Sequence, residues 1–262
     1  MKDNPIGVFD SGIGGLYVLD RLIEALPGED FIYVADSKNF PYGTRPPAEI
    51  AGIVTAVTRY ILKQNVKALV IACNTATAHS GHLRAVVDIP IIGVIEPTAR
   101  AALAAGSDAV IAVLATNATV KSGIYQKYIN ELAPGATVIP VGCSEFASAI
   151  ESGDIGTASS YRRVAAKLSP YAGRGIAAVI LGCTHFDLYR REIAAALPGA
   201  RLISAADPTA GRLEGVLREK ELLKDAARPG TVTIMTTGDA ETLKQQIAWF
   251  RREYRGVHHI DL

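Results

Sequence analysis

Two cysteines carry the strongest chemical signal in the chain. Cys73 closes the run Ala68-Leu69-Val70-Ile71-Ala72 and is followed by Asn74-Thr75, and Cys183 closes Ala178-Val179-Ile180-Leu181-Gly182 and is followed by Thr184-His185. Each thiol thus follows an apolar strand-like run and precedes a polar pair near a predicted helix start. A helix N-terminus favours an anion, so this placement predicts thiols more acidic than a free cysteine at about 8.5. A single cysteine so placed reads as a small packed apolar group; a matched pair, at the same place in two similar halves, reads as function. With one thiol on each side of a cleft, a proton can leave one face of a carbon and another arrive on the opposite face, which inverts the centre.

Other candidates also follow strand-like runs. Asp10-Ser11-Gly12-Ile13-Gly14-Gly15 follows Ile6-Gly7-Val8-Phe9 and opens a helix. A dinucleotide fingerprint needs glycine where Tyr17 stands, and a P-loop needs a Gly-Lys-Ser/Thr that is missing. Exposed backbone N–H groups at a helix start still suit a carboxylate. Asp10 itself fits an ammonium group or a helper to a base, or an N-cap. Asp36-Ser37 and Thr116 with Thr119 also follow strands. Phe40-Pro41-Tyr42-Gly43-Thr44 is a turn-rich loop that can offer Tyr42 and the Gly43 backbone to a substrate or serve as an ordinary turn. Cys143 has no partner in the repeat and reads as structural. Cys73, His79 and His82 lie along one predicted helix but lack a fourth ligand, so no metal is expected. His258 and His259 carry no pattern.

These residues need a scaffold that presents strand ends together. Phe31 to Ala35, Ala68 to Ala72, Ala109 to Leu114, Thr137 to Val141 and Ala177 to Gly182 read as further strands, most of them continuously apolar, as in strands buried on both faces. Helical segments alternate with them (Leu16 to Leu26, Ala48 to Gln64, Val120 to Leu132, a stretch holding Tyr161 to Leu168, Tyr189 to Leu197). Strand–helix–strand units with short connections predict an α/β fold of parallel sheets flanked by helices, with ligands beyond the carboxyl ends of the strands. The two halves repeat weakly, with a crossing point near Ile95-Glu96-Pro97. Two similar domains follow, 1–96 with about 208–262, and 97–207, and a cleft between them. The tail after Pro208 holds a helix, a strand (Thr231 to Thr236) and a last helix, and is expected to pack back on the first half.

Composition narrows the classes. The chain has 262 residues, 27 Lys plus Arg against 26 Asp plus Glu, and a net charge of +1, a balance that argues against nucleic acid as partner. No apolar run approaches a membrane span, and no secretory leader is read at Met1-Lys2-Asp3-Asn4-Pro5. Three cysteines argue against a disulfide scaffold and for a reducing cytoplasm.

Taken together, the motifs resemble the cofactor-independent glutamate racemases. They are Gly7 through Gly15, Pro41-Tyr42-Gly43-Thr44, Val70 through Ala76, Gly93-Val94-Ile95-Glu96-Pro97, Thr119 through Tyr125, and Leu181 through His185, with Thr237-Gly238-Asp239 as a looser echo. The resemblance implies an isomerase with two α/β domains, glutamate in the cleft and no cofactor. It also implies D-glutamate supplied for peptidoglycan, and a homodimer is compatible with it. By the same carry-over, Cys73 and Cys183 transfer the protons, Asp10 assists Cys73 and His185 assists Cys183. Glu151 is a further assisting carboxylate on a looser alignment, with a solvated helix-end glutamate as the competing view. Substrate contacts fall to Ser11, Tyr42, Gly43, Asn74, Thr75, Thr116, Thr119, Thr184 and His185. Phe186-Asp187 and Ser37-Lys38-Asn39 depart from the family pattern near the site. Rival readings are an aspartate or hydantoin racemase, a pyridoxal-phosphate racemase, and a two-lobed small-ligand binding protein.

Overall fold

The computed structural model describes every residue except Ala226, Ala227, Arg251, Glu253 and Arg255. The described strands, in chain order, are β1 (Ile6–Asp10), β2 (Phe31–Ala35), β3 (Ala68–Ile71), β4 (Ile91–Gly93), β5 (Val110–Ala115), β6 (Thr137–Gly142), β7 (Ile176–Gly182), β8 (Arg201–Ile203), β9 (Val232–Thr236) and β10 (Val257–His259). They form two sheets, ordered β10-β9-β2-β1-β3-β4 and β6-β5-β7-β8. Every pairing is parallel. The β-branched and apolar runs explain this arrangement: strands such as β3, buried on both faces, suit only a sheet covered by helices on each side.

The helices are α1 (Leu16–Ala25), α2 (Pro47–Leu62), α3 (Asn74–Ala78), α4 (Ile95–Ala102), α5 (Asn117–Lys121), α6 (Ile124–Leu132), α7 (Ser144–Glu151), α8 (Ala158–Leu168), α9 (Arg190–Ala196), α10 (Ala206–Glu219) and α11 (Ala240–Ile247). One apolar cluster joins inner faces of both sheets, running from Ile6, Val8 and Val70 through α1, α4 and α10 to Ile111, Val113 and Ile180. A second cluster fills the outer face of the smaller sheet under α7 and α8, and a third lies under α2 on the larger.

Three strands escape the sequence pattern: β4, β8 and β10 have three residues each. A run that short shows no period, although each pairs with the strand just before it in the chain. The single helix expected from Val120 to Leu132 is two, α5 and α6, broken at Gly123, whose φ of 66° is a left-handed conformation that glycine adopts at little cost. The helix expected from Tyr189 is α9, and before it Thr184–Tyr189 form a 3₁₀ turn. β9 adds to the larger sheet beside β2, and β10 beside β9.

Register decides what emerges at the carboxyl ends. Phe9 pairs with Ile71, so Ser11 and Cys73 leave the larger sheet side by side. Ala115 pairs with Gly182, so Thr116 and Cys183 leave the smaller one side by side. Among the described residues no helix is long and apolar enough to cross a membrane.

The opposite end of the larger sheet is tied by a buried ion pair. Lys67 Nζ lies 2.5 Å from Glu29 Oε2, with side chains 0% and 3% exposed. Lys67 also donates to the Lys2 carbonyl, and Glu29 accepts from the Lys224 amide. Removing one charge strands the other, so Lys67→Met should lower unfolding free energy by about 3–5 kcal/mol in urea titrations, and Glu29→Gln/Lys67→Met by less.

Candidate active site

Cys73 is 5% exposed and caps α3, its sulfur accepting from the Ala76 N–H at 3.4 Å and donating to Ser11 Oγ at 3.6 Å. Cys183 is 7% exposed and opens the 3₁₀ turn, with Sγ 3.9 Å from His185 Nδ1. Both sulfurs line one cavity. The acidity expected of Cys73 is reversed: burial, then the Asp10 carboxylate, pushes its thiol up to about 12, against the Ala76 N–H and Ser11. A helix of five residues offers too little partial charge to offset the loss of water around a thiolate.

Behind the two sulfurs stand buried titratable groups. Asp10 is fully buried at the end of β1. It accepts from the Gly12 N–H at 3.1 Å and from Thr184 Oγ1 at 3.2 Å. Burial raises its pKa, and the His185 charge and these hydrogen bonds oppose that rise. Asp10 does not cap α1, whose N-cap is Gly15. On the Cys183 side, His185 Nε2 meets Glu151 Oε1 at 2.8 Å, and Glu151 Oε2 accepts from Gln246 of α11 at 2.7 Å. Burial alone would strip the His185 proton, but Cys183 and Glu151 together outweigh it and hold its pKa well above that of an ordinary histidine. Burial likewise disfavours the Glu151 charge, yet His185, Gln246 and the Ile13 N–H keep its pKa low. Glu151 is therefore a bridge between α7, the Cys183 turn and α11, not a solvated helix end.

The polar wall comes from both halves. The hydroxyls of Thr75, Thr116 and Thr119 form a triangle at 2.9, 3.1 and 3.0 Å. Thr75 and Thr116 face the cavity, as do Ser11, Tyr42, Gly43, Asn74, Thr184 and His185, while Thr119 stands behind. The Tyr42 hydroxyl is already spent: it donates to Asp36 Oδ2 at 2.5 Å, so Tyr42 meets the cavity without it. Asp36 is a buried anchor that also accepts from Asn39 Nδ2 and from Thr237 Oγ1 at 2.6 Å, tying the Tyr42 loop to the chain after β9.

Loops from the larger sheet press directly on the smaller half. A Cβ on Gly14 would lie 2.5 Å from Thr184 Oγ1 and 2.7 Å from the His185 nitrogen, and one on Gly43 would lie 2.5 Å from Thr116 Cβ. Only glycine permits that approach, and it leaves the cavity about 20 Å³ of free space, on the order of one water. Wider grooves exist, but those beside Arg212 and beside Trp249 hold neither Cys73 nor Cys183.

Several contributors carry no sequence signal. Tyr33 donates to the Gly12 carbonyl at 2.7 Å and holds the Ser11–Gly15 loop; Ser144 and Ala147 line the cavity from α7. Gln246 falls in an ordinary amphipathic helix. His79 and His82 turn to the Thr75 carbonyl and Thr55, away from Cys73. Among the described residues no group of three or more His, Cys, Asp or Glu is placed to hold a metal. Cys143 packs in the outer core with its thiol pushed up to about 12 by burial. Of the residues that depart from the family pattern, Phe186 packs on Phe146 in that core, Asp187 accepts from Ser204, and Asn39 serves Asp36.

Known proteins share this arrangement. The signature described as Asp/Glu/Hydantoin racemase matches residues 6–212. A glutamate racemase of Limosilactobacillus fermentum is 38% identical over 246 residues, covering 93% of this chain and 91% of that protein. The crystal structure of a glutamate racemase isoform from Bacillus anthracis superposes with a TM-score of 0.95 at 34% identity, covering 100% of this chain and 99% of that one. A glutamate racemase from Francisella tularensis, solved in complex with D-glutamate, gives a TM-score of 0.92 at 30% identity over 100% and 98%. With two buried thiols facing one cavity and a match this broad, the chain belongs to the Asp/Glu/Hydantoin racemase family.

Proposed function

We propose that this chain interconverts L- and D-glutamate by moving the α-proton between Cys73 and Cys183. The observation that carries the reading is the single cavity lined by both thiols, each at the carboxyl end of an equivalent strand in its own sheet. Relatives named glutamate racemase support the choice of substrate. The lobes of this reading are 1–96 with 208–262, and 97–207. Their closed cleft has no room for an amino acid, so substrate binding requires them to part.

In each direction one sulfur is a thiolate and the other a thiol. The thiolate takes hydrogen from Cα as a proton, leaving the electron pair on carbon, and the thiol gives its proton to the opposite face. The sulfurs exchange roles and the atoms balance without an oxidant. The difficulty is the weak acidity of an amino-acid α-proton. A dry site of fixed donors meets it in part, because the developing charge is stabilised without solvent reorganisation. In this reading Ser11, Thr75, Thr116, Thr184 and the Asn74 amide, which line the cavity, hold the carboxylates, and Asp10, buried beside Thr184, assists on the Cys73 side. His185, backed by Glu151, is the charge partner for Cys183, while Cys73 rests as the thiol. A product D-glutamate suits supply of cell-wall peptidoglycan.

Incubation of L- or D-glutamate with the purified protein in D₂O, without added cofactor, should racemise each and place deuterium at Cα. Inversion that retains protium would eliminate the two-thiol reading. Cys73→Ala and Cys183→Ala should each lower kcat by at least about a hundredfold, as expected for loss of a general acid–base group.

The His185–Glu151 pair sets a pH dependence of stability. Because its folded pKa is raised, His185 contributes stability in full below about pH 6.5 and loses it as pH rises through the folded value. Glu151→Gln removes one of the two partners that raise it. The total loss of unfolding free energy above about pH 6.5, read from urea midpoints followed upward through the alkaline range, should therefore be smaller than in wild type.

A further inference from the structure

Asn74 is 2% exposed and lines the cavity, yet its amide is half used. Oδ1 accepts from the Tyr125 hydroxyl at 2.6 Å, while Nδ2 has no partner among the described residues. Two unspent N–H donors in a buried place are costly, and they point to an acceptor that arrives from outside the protein.

Tyr125 is 3% exposed, near the start of α6, and reaches the amide of Asn74 at the start of α3 on the other half of the molecule. Its ring abuts the strand that carries the second thiol: a Cβ on Gly182 would stand 3.3 Å from Tyr125 Cε2. One side chain therefore touches the residue after Cys73 and the residue before Cys183. Burial, with the Cys183 charge adding to it and Thr98 opposing, keeps the phenol protonated, so the hydroxyl remains a donor.

We propose that Tyr125 is a positioning residue that sets the polarity of the Asn74 amide, holding its oxygen back so that its NH₂ faces a carboxylate of the substrate. The proposal rests on the glutamate reading above and adds a determinant that lies outside the substrate contacts. Without the hydroxyl, the amide is free to turn, and its oxygen would then oppose a carboxylate oxygen. The bond joins the two halves behind the cavity wall, with the Tyr125 ring in their common core.

The test is steady-state racemisation from both enantiomers by wild type, Tyr125→Phe, Asn74→Ala and the double variant, with thermal unfolding as the control for folding. Tyr125→Phe keeps the ring against Gly182 and removes the donor. It should raise KM for L- and D-glutamate about tenfold, with kcat within about threefold, as for loss of one uniformly used hydrogen bond. Asn74→Ala should raise KM at least as much, and the double variant no further than Asn74→Ala alone. A wild-type KM in Tyr125→Phe, or increments that multiply in the double variant, would overturn the positioning role and leave the glutamate reading standing. A wild-type KM in Asn74→Ala would overturn it by removing Asn74 from the substrate contacts. An inactive wild type would overturn the glutamate reading itself, and this proposal with it.

Discussion

A charge taken out of water survives only if an opposite charge or a set of hydrogen bonds replaces the solvent. That constraint governs this cleft. Cys73, with Asp10 behind it, is driven toward its neutral form. His185, between Cys183 and Glu151, is driven toward its charged form despite equal burial. The two sides are thus electrostatically unlike while being topologically alike. Glu151 sustains that difference because Gln246 and the Ile13 N–H occupy its remaining hydrogen-bonding capacity.

The fold supplies the geometry that lets those charges meet. Parallel strands point their carboxyl ends one way, and two sheets joined through a common core of α1, α4 and α10 point them at each other. Parallel register then places Ser11 beside Cys73 and Thr116 beside Cys183. Glycines at 14 and 43 bring the loops of one half into contact with Thr184, His185 and Thr116 of the other. The result is a cavity from which water is almost wholly excluded, and exclusion of water is what gives each hydrogen bond and charge in it their leverage.

Asn39, Phe186 and Asp187 stand outside the lining of the cavity. Asn39 donates both its bonds to Asp36, Phe186 is core, and Asp187 turns to Ser204 and Arg190. Each acts behind the cavity wall, where what matters is that Asp36 and the 3₁₀ turn stay in place. The wall itself keeps its Asp-Ser, Cys-Asn-Thr and Cys-Thr-His sets.

The alternating apolar runs and helical segments determined by themselves that parallel α/β layers would form, since strands apolar on both faces have no other stable setting. The repeat around Cys73 and Cys183 determined which residues would stand at the strand ends. Local pattern could not carry the rest. β4, β8 and β10 are shorter than any period, and the break at Gly123 lies inside a helical pattern that continues through it. A helix start by itself points to an acidic Cys73 thiol, whereas burial, a property of the whole assembly, pushes it up. Tyr33, Gln246 and Tyr125 act through single hydrogen bonds to residues 21, 95 and 51 positions away. Contacts of that range exist only after packing, so the tertiary structure alone decided that Tyr33 holds the Ser11–Gly15 loop, that Gln246 backs Glu151, and which way the amide beside Cys73 faces.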